Sequence, residues 1–210
     1  IQKTLQDALE MFFNQKLLLS GCSRTDAGVH AMMQVCSFRA ETDMGDELML
    51  TKLREYSPED VGVLSLERVE PRFHARLNCV RKTYVYRIWN SDEPNVFGRK
   101  YMYNHPGKLD MQAMRAAAEQ LIGEHDFAAF CTKRTKKSTV RHLESIEFIE
   151  LGEEIRIMLT GNGFLYNMVR IIVGTLLEVG RGERSVESVG MALASLDRQQ
   201  AGFTAPPHGL

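Results

Sequence analysis

Apolar residues recur along this chain with the spacings of both helices and strands. At the N-terminus, Leu5, Leu9 and Phe12 share one helical face and predict a first helix. The same periodicity, together with capping residues and helix breakers, predicts further helices at 46–55, from Asp110 to Gly123, at 164–179 and after Ser185. Alternating or short apolar runs predict strands at 17–19, 29–38, 61–69, 80–89, 146–150 and 155–159. Because helices and strands alternate, we expect a mixed α/β (α+β) architecture.

The clearest predicted strand covers residues 80–89. Its alternation places Lys82, Tyr84, Tyr86 and Ile88 on one face. Aromatic residues on a strand are usually core residues. Two tyrosines and a lysine on a half-exposed face would also suit a platform for a nucleobase, so both interpretations stay open.

The composition is that of an ordinary globular protein, with 44% hydrophobic and 25% charged residues in a chain of 210. No apolar run reaches the length of a membrane span, and there is no leader-like segment. The four cysteines lack CxxC spacing, so we expect reduced thiols and a cytoplasmic location. The six histidines show no metal-ligand spacing, and we expect no metal site.

The net charge of −1 argues against a strongly basic nucleic-acid coat. A local basic run is nevertheless present, formed by Lys133, Arg134, Lys136, Lys137 and Arg141. Such a run is usually a solvated loop. The alternative is a local contact with a nucleic-acid backbone.

The first candidate for chemistry is the loop segment Ser23-Arg24-Thr25-Asp26-Ala27-Gly28. A lone aspartate in a loop usually makes a turn or a helix cap. Arg24 and Asp26 are two residues apart, so their side chains can lie on the same side of a compact loop. A neighbouring arginine favours the charged form of a carboxylate, and an ionised carboxylate can attack an electrophilic carbon.

The second candidate is Arg170, which lies on a predicted helix that is apolar nearly all round. It shares a single polar stripe with Asn167, Gly174 and Glu178. An arginine there needs a partner, because an unpaired buried charge is costly. Glu178 or a backbone carbonyl would give a structural role, whereas an anionic site group or a phosphate would give a functional one. Gly161-Asn162-Gly163 predicts a turn, with an anion contact at a helix N-terminus as the alternative.

The order of these segments resembles the TruA family of tRNA pseudouridine synthases. Residues 21–31, which contain Arg24-Thr25-Asp26, resemble the signature loop of that family. Its other motifs are matched in order by residues 82–88, 126–130, 161–180 and 205–210. Members of the family begin with a strand carrying a Gly-Trp-Gln-type segment and end with a strand after the closing Gly-Leu. This chain starts after the first and stops before the second, as expected for a partial chain.

The resemblance implies a pseudouridine synthase fold, in which two subdomains with mainly antiparallel sheets, backed by helices, surround a central catalytic cleft. We divide the chain into residues 1–77, with the Asp26 loop, and 78–210. The implied activity is isomerisation of uridine to pseudouridine in the anticodon arm of tRNA, at about positions 38 to 40, by a homodimer that needs no cofactor. Asp26 matches the nucleophile. Tyr84 matches the tyrosine against the target base, and Arg170 matches the arginine paired with the aspartate. We expect Arg24 to support the flipped-out nucleotide through a phosphate contact.

Two other functions fit parts of the pattern. A non-catalytic RNA-binding protein of the same fold would use Tyr84 and Tyr86 for stacking, but it gains little from a carboxylate facing a phosphate-rich ligand. A hydrolase would pair Asp26 with a second carboxylate, and no second acid stands out in the matched motifs.

Overall fold

The computed structural model describes residues 1–133 and 137–210, and they form two compact units. The first unit consists of Ile1–Arg24 and Met32–Cys79, and the second of Thr25–Ala31 and Val80–Leu210. The sequence-based division put residues 21–28 entirely in the N-terminal part, whereas the structure groups Thr25–Ala31 with the second unit. Asp26 therefore shares a unit with Arg170. Among the residues described, no helix has the length and apolar character needed to cross a membrane.

The first unit contains two helices and a minimal hairpin. Its elements are α1 (Gln2–Phe13), β1 (Ser20–Gly21), β2 (Cys36–Ser37) and α2 (Asp46–Tyr56). β1 and β2 pair antiparallel, and both helices contribute to a core around Leu9 and Leu53. The two predicted helices are confirmed. α2 ends where Ser57 adopts extended backbone before Pro58, as the residue preceding a proline favours.

The strands predicted in this unit are mostly wrong. Residues 17–19 and 61–69 form no strand, and the strand predicted at 29–38 is reduced to Cys36–Ser37. Their apolar side chains do enter the core, as Leu17 and Leu66 show. However, the Arg54 guanidinium donates to the carbonyls of Val63 and Leu64 at 2.9 Å each, so a side chain occupies acceptors that a neighbouring strand would use. An apolar run can therefore bury its side chains in the core without forming the backbone hydrogen bonds of a β-sheet.

The second unit is built on a five-stranded sheet in the order β4-β3-β7-β6-β5. Only the β3–β4 pair is parallel, and the other three pairs are antiparallel. The strands are β3 (Lys82–Asn90), β4 (Tyr103–His105), β5 (Gly123–Asp126), β6 (Val140–Leu151) and β7 (Glu154–Gly161). The helices are α3 (Met111–Glu119), α4 (Met168–Gly180) and α5 (Glu187–Ser195), with short 3-10 turns at Ala128–Phe130, Arg198–Gln200 and Pro207–Gly209. The predicted mixed α/β class with mainly antiparallel pairing is confirmed.

One continuous core joins the sheet to α3, α4 and α5. The β6–β7 hairpin joins the strands predicted at 146–150 and 155–159, and it turns around Gly152, whose φ of +63° suits glycine. Asp110 caps α3 by accepting a hydrogen bond from the Ala113 backbone at 2.9 Å. Helix α4 begins at Met168 rather than at residue 164, because Asn167 adopts the left-handed conformation with φ of +62° and interrupts the helix. α3 likewise ends at Glu119, earlier than the predicted Gly123.

Candidate active site

The Asp26 loop, defined here as Thr25–Ala31, is a tight turn anchored at one end. The Val29 N–H donates to the Asp26 carbonyl at 3.1 Å, and the Val29 side chain is buried. Gly28 has φ of +80°, and a Cβ there would lie 3.1 Å from the Pro207 ring. The His30 N–H donates to the carbonyl of Leu210 at 2.9 Å. The loop is thus held against the C-terminal segment while the Asp26 side chain stays 28% exposed and open to a ligand.

Arg170 lies in the first turn of α4 and forms an ion pair with Asp26. Its Nη1 is 3.6 Å from Asp26 Oδ2, and only 14% of the arginine side chain is exposed. Nε donates to the Ala205 carbonyl at 2.7 Å, and Nη1 donates to Asn167 Oδ1 at 3.1 Å. These two bonds fix the plane of the guanidinium. At 3.6 Å the contact with Asp26 is an ion pair rather than a hydrogen bond.

Glu178, the structural alternative as partner of Arg170, is engaged elsewhere. Its Oε2 accepts from Arg184 Nε at 3.0 Å, and its Oε1 accepts from the Phe203 N–H at 3.0 Å. Local sequence evidence could not choose between Glu178 and an anionic site group. The structure places the carboxylate of the Asp26 loop against Arg170.

A segment that we name the closing segment, residues 201–210, supports both charged groups. Thr175 Oγ1 accepts from the Gly202 N–H at 2.9 Å, and the Ala205 N–H donates to the Arg170 carbonyl at 3.0 Å. Gly174 is required for this approach, because a Cβ there would collide with the Phe203 carbonyl. α4 therefore holds the closing segment, which in turn presents the Ala205 carbonyl to Arg170. Sequence reasoning noticed the closing motif but not this role; the small residues Gly174 and Gly209 were the available signal.

The two tyrosines of β3 have different environments. Tyr86 is fully buried, and its hydroxyl donates to the Pro206 carbonyl at 2.8 Å. Burial raises the pKa of Tyr86 far above its ordinary value, with a smaller raising effect from Tyr103 and an opposing one from Arg170. The interpretation of Tyr86 as part of a base-stacking platform is therefore wrong, since its ring is inaccessible. Tyr84 is only partly buried and packs edge-on against Phe164, with ring centroids 4.9 Å apart.

Comparison with known proteins places this geometry in a family. A family model described as tRNA pseudouridine synthase matches residues 117–210, which include Arg170 and the closing segment. A protein named tRNA pseudouridine synthase A 2 from Bacillus cereus is 41% identical over 211 aligned residues, covering 100% of this chain and 86% of that protein. A protein named tRNA pseudouridine synthase A from Anoxybacillus flavithermus is 44% identical, with the same two coverages. The chain belongs to the tRNA pseudouridine synthase A family. The resemblance noted in the sequence is confirmed.

Arg24 belongs to the first unit, whereas the other predicted site residues belong to the second. It is the last residue of the first unit before the Asp26 loop, and its side chain is exposed. The structure brings Asp26 and Arg170 together and places Tyr84 on the edge of the core of the same unit. The role of Arg24 stays a prediction.

The basic run and the Gly-Asn-Gly turn complete the sequence-based candidates. Two members of the run, at positions 134 and 136, lie outside the described residues. Lys133 lies over the Tyr166 ring at 4.0 Å, and Arg141 donates to the carbonyls of Ser138 and Val140. Asn162 exchanges hydrogen bonds with His142 of β6, at 3.1 Å each. The predicted turn is therefore only partly matched, because Gly161 is the last residue of β7 and the chain bends at Asn162. The segment lies several residues before α4 rather than at its N-terminus.

Proposed function

We propose that this member of the family converts uridine of tRNA into pseudouridine and that Asp26 is its nucleophile. The observation that carries the proposal is the ion pair between Asp26 and Arg170. The arginine is held by the Ala205 carbonyl and Asn167, so it positions the carboxylate without covering it. A carboxylate that is both charged and partly exposed has the properties that nucleophilic attack requires.

The reaction exchanges one glycosidic bond for another. The bond from N1 of uracil to C1′ of ribose breaks, and a bond from C5 to C1′ forms. C5 loses its proton and N1 gains one, so no atoms or electrons are exchanged with a second substrate. Asp26 either attacks C1′, releasing the base, or adds to C6 of the ring. Either route needs the nucleotide to leave its stack, because both carbons are shielded within one.

Tyr84 and Arg24 have supporting roles in this proposal. Tyr84 lies against the target base, and its hydroxyl assists removal of the C5 proton after the base has rotated. The partial exposure of Tyr84, in contrast to the complete burial of Tyr86, supports this choice. Arg24 binds a phosphate of the extruded nucleotide, a role that suits an exposed arginine next to the Asp26 loop.

We propose the anticodon arm of tRNA, at about positions 38 to 40, as the target, and a homodimer as the working form. The net charge of −1 supports dimerisation, because two local basic surfaces would have to combine to bind a polyanion. A tRNA substrate also favours a cytoplasmic location.

The direct test is incubation with unmodified tRNA followed by chemical mapping of pseudouridine. We expect modification within the anticodon arm, and none when the uridines there are replaced by cytidine. Sedimentation at several protein concentrations tests the dimer. Absence of pseudouridine from a protein that binds the tRNA would contradict the proposed activity and favour the non-catalytic RNA-binding alternative.

A further inference from the structure

Phe97 is exposed to an extent that is unusual for a large aromatic residue. Phe97 is 99% exposed, and its neighbours Val96 and Tyr101 are 57% and 52% exposed. They lie in the segment between β3 and β4. We name residues 95–101 the Phe97 turn. Exposed apolar groups that lie close together often mark an interaction site.

The Phe97 turn is held by its own hydrogen bonds. Asn95 Oδ1 accepts from the Gly98 N–H at 2.7 Å, and the Tyr101 N–H donates to the Gly98 carbonyl at 2.8 Å. Arg99 Nη1 donates to the Val96 carbonyl at 2.9 Å. The backbone that carries Phe97 is therefore a defined turn, so binding of a ligand there costs little backbone entropy.

The Phe97 turn is attached to the Asp26 loop within the same unit. His30 Nε2 lies 3.0 Å from the Lys100 carbonyl, and the rings of His30 and Tyr101 have centroids 4.7 Å apart. His30 is only four residues from Asp26 and is anchored by Leu210. A ligand bound at the turn is thus bound next to the loop that carries the candidate nucleophile.

The residues of the turn favour a nucleic acid as this ligand. Two exposed cations, Arg99 and Lys100, closely follow the aromatic residue. An aromatic face beside positive charge is the usual combination for unpaired bases and their phosphates. A second copy of this chain would instead gain from an apolar patch without adjacent like charges.

We propose that Phe97 stacks on an unpaired base of the tRNA substrate and that the Phe97 turn is an accessory RNA-binding site. The identity of the RNA rests on the proposed function, whereas the stacking does not. The turn contributes affinity and register, and it leaves the chemistry at Asp26 unchanged.

The test compares Phe97→Ala, Phe97→Leu and Phe97→Tyr in direct binding to unmodified tRNA. Loss of one stacked base raises Kd by about tenfold or more. We expect that increase for Phe97→Ala and Phe97→Leu, and near wild-type Kd for Phe97→Tyr, with kcat at saturating tRNA unchanged in all three. Leu151→Ala, which truncates another exposed apolar residue of the same unit at 49% exposure, is the matched control and should leave Kd unchanged.

Unchanged Kd for Phe97→Ala would overturn the proposal. A second result would also overturn the proposal. If Phe97→Leu binds tRNA with the wild-type Kd while Phe97→Ala dissociates an oligomer, a second copy of the chain occupies the turn. Because binding is measured without turnover, a wild-type chain that binds tRNA but forms no pseudouridine would refute the proposed function and leave this inference standing.

Discussion

Replacing Arg170 by methionine tests how the site is held together. The substitution keeps much of the side-chain volume and removes all three polar contacts of the guanidinium. The bond to Ala205 is the shortest of them at 2.7 Å, and Ala205 is fully buried. Its carbonyl would be left without its charged donor, which costs about 1–3 kcal/mol.

The other two contacts contribute less to stability. The bond to Asn167 is 3.1 Å long. The Asp26 carboxylate is 28% exposed and 3.6 Å from the arginine, so solvent screens the ion pair to about 1 kcal/mol or less. We therefore expect Arg170→Met to lower the free energy of unfolding by about 3 kcal/mol, at the low end for a partly buried pair. Arg170→Lys keeps the charge but not both hydrogen bonds, so we expect a smaller loss, about 1 kcal/mol.

The assay is urea denaturation together with kcat for pseudouridine formation at saturating tRNA. We expect kcat to fall about 100-fold in Arg170→Lys despite its modest destabilisation, because the carboxylate is no longer held in place. Arg81→Met is the matched control. Its pair with Glu144 is 65% and 35% exposed, and its loss should change stability by less than about 1 kcal/mol. Wild-type stability and kcat in Arg170→Met would refute this account of the site.

Three further predictions follow from individual contacts. Tyr84→Phe should keep tRNA affinity and lower kcat, and an unchanged kcat would limit Tyr84 to packing against the base. Thr175→Val removes the hydroxyl that accepts from the Gly202 N–H, and we expect kcat to fall because the closing segment shifts. Thr175→Ser keeps that acceptor and should keep kcat near the wild-type value. Equal kcat in the two variants would exclude this role. Arg87, and then Arg156, lowers the pKa of Glu154 from 4.5 to about 2, against the opposing effect of burial. This shift corresponds to about 3 kcal/mol of stability, which is present above pH 4.5 and is lost as the pH falls toward 2. The difference in free energy of unfolding between wild type and Glu154→Gln should therefore shrink over that range in urea titrations, and a constant difference would contradict the assignment.

Local patterns predicted those parts of the fold that depend on neighbouring residues. α1, α2 and the β6–β7 hairpin follow from periodicity, breakers and a turn glycine. The predicted strands of the first unit failed because burial and strand pairing are separate events. Leu17 and Leu66 satisfy the first without the second. Strand pairing also depends on whether backbone acceptors are free, and the Arg54 side chain donates to those of Val63 and Leu64.

The candidate site shows the same division. Helical spacing put Arg170 on a polar stripe and showed that it needed a partner. Local evidence favoured Glu178 as much as a distant anion, and only the family resemblance named Asp26. The separation of Tyr84 from Tyr86 was equally invisible, because both lie on the same face of β3. The two tyrosines differ because the closing segment covers Tyr86, whose hydroxyl donates a hydrogen bond to the Pro206 carbonyl.

The central claim is that the Asp26 carboxylate is the nucleophile, and the most direct measurement is pseudouridine formed by Asp26→Asn at saturating unmodified tRNA. The amide keeps the size of the side chain and removes its charge. We expect no detectable pseudouridine while tRNA still binds, and wild-type activity in Asp60→Asn, an exposed aspartate of the first unit. Pseudouridine formed by Asp26→Asn at a near-normal rate would contradict the claim.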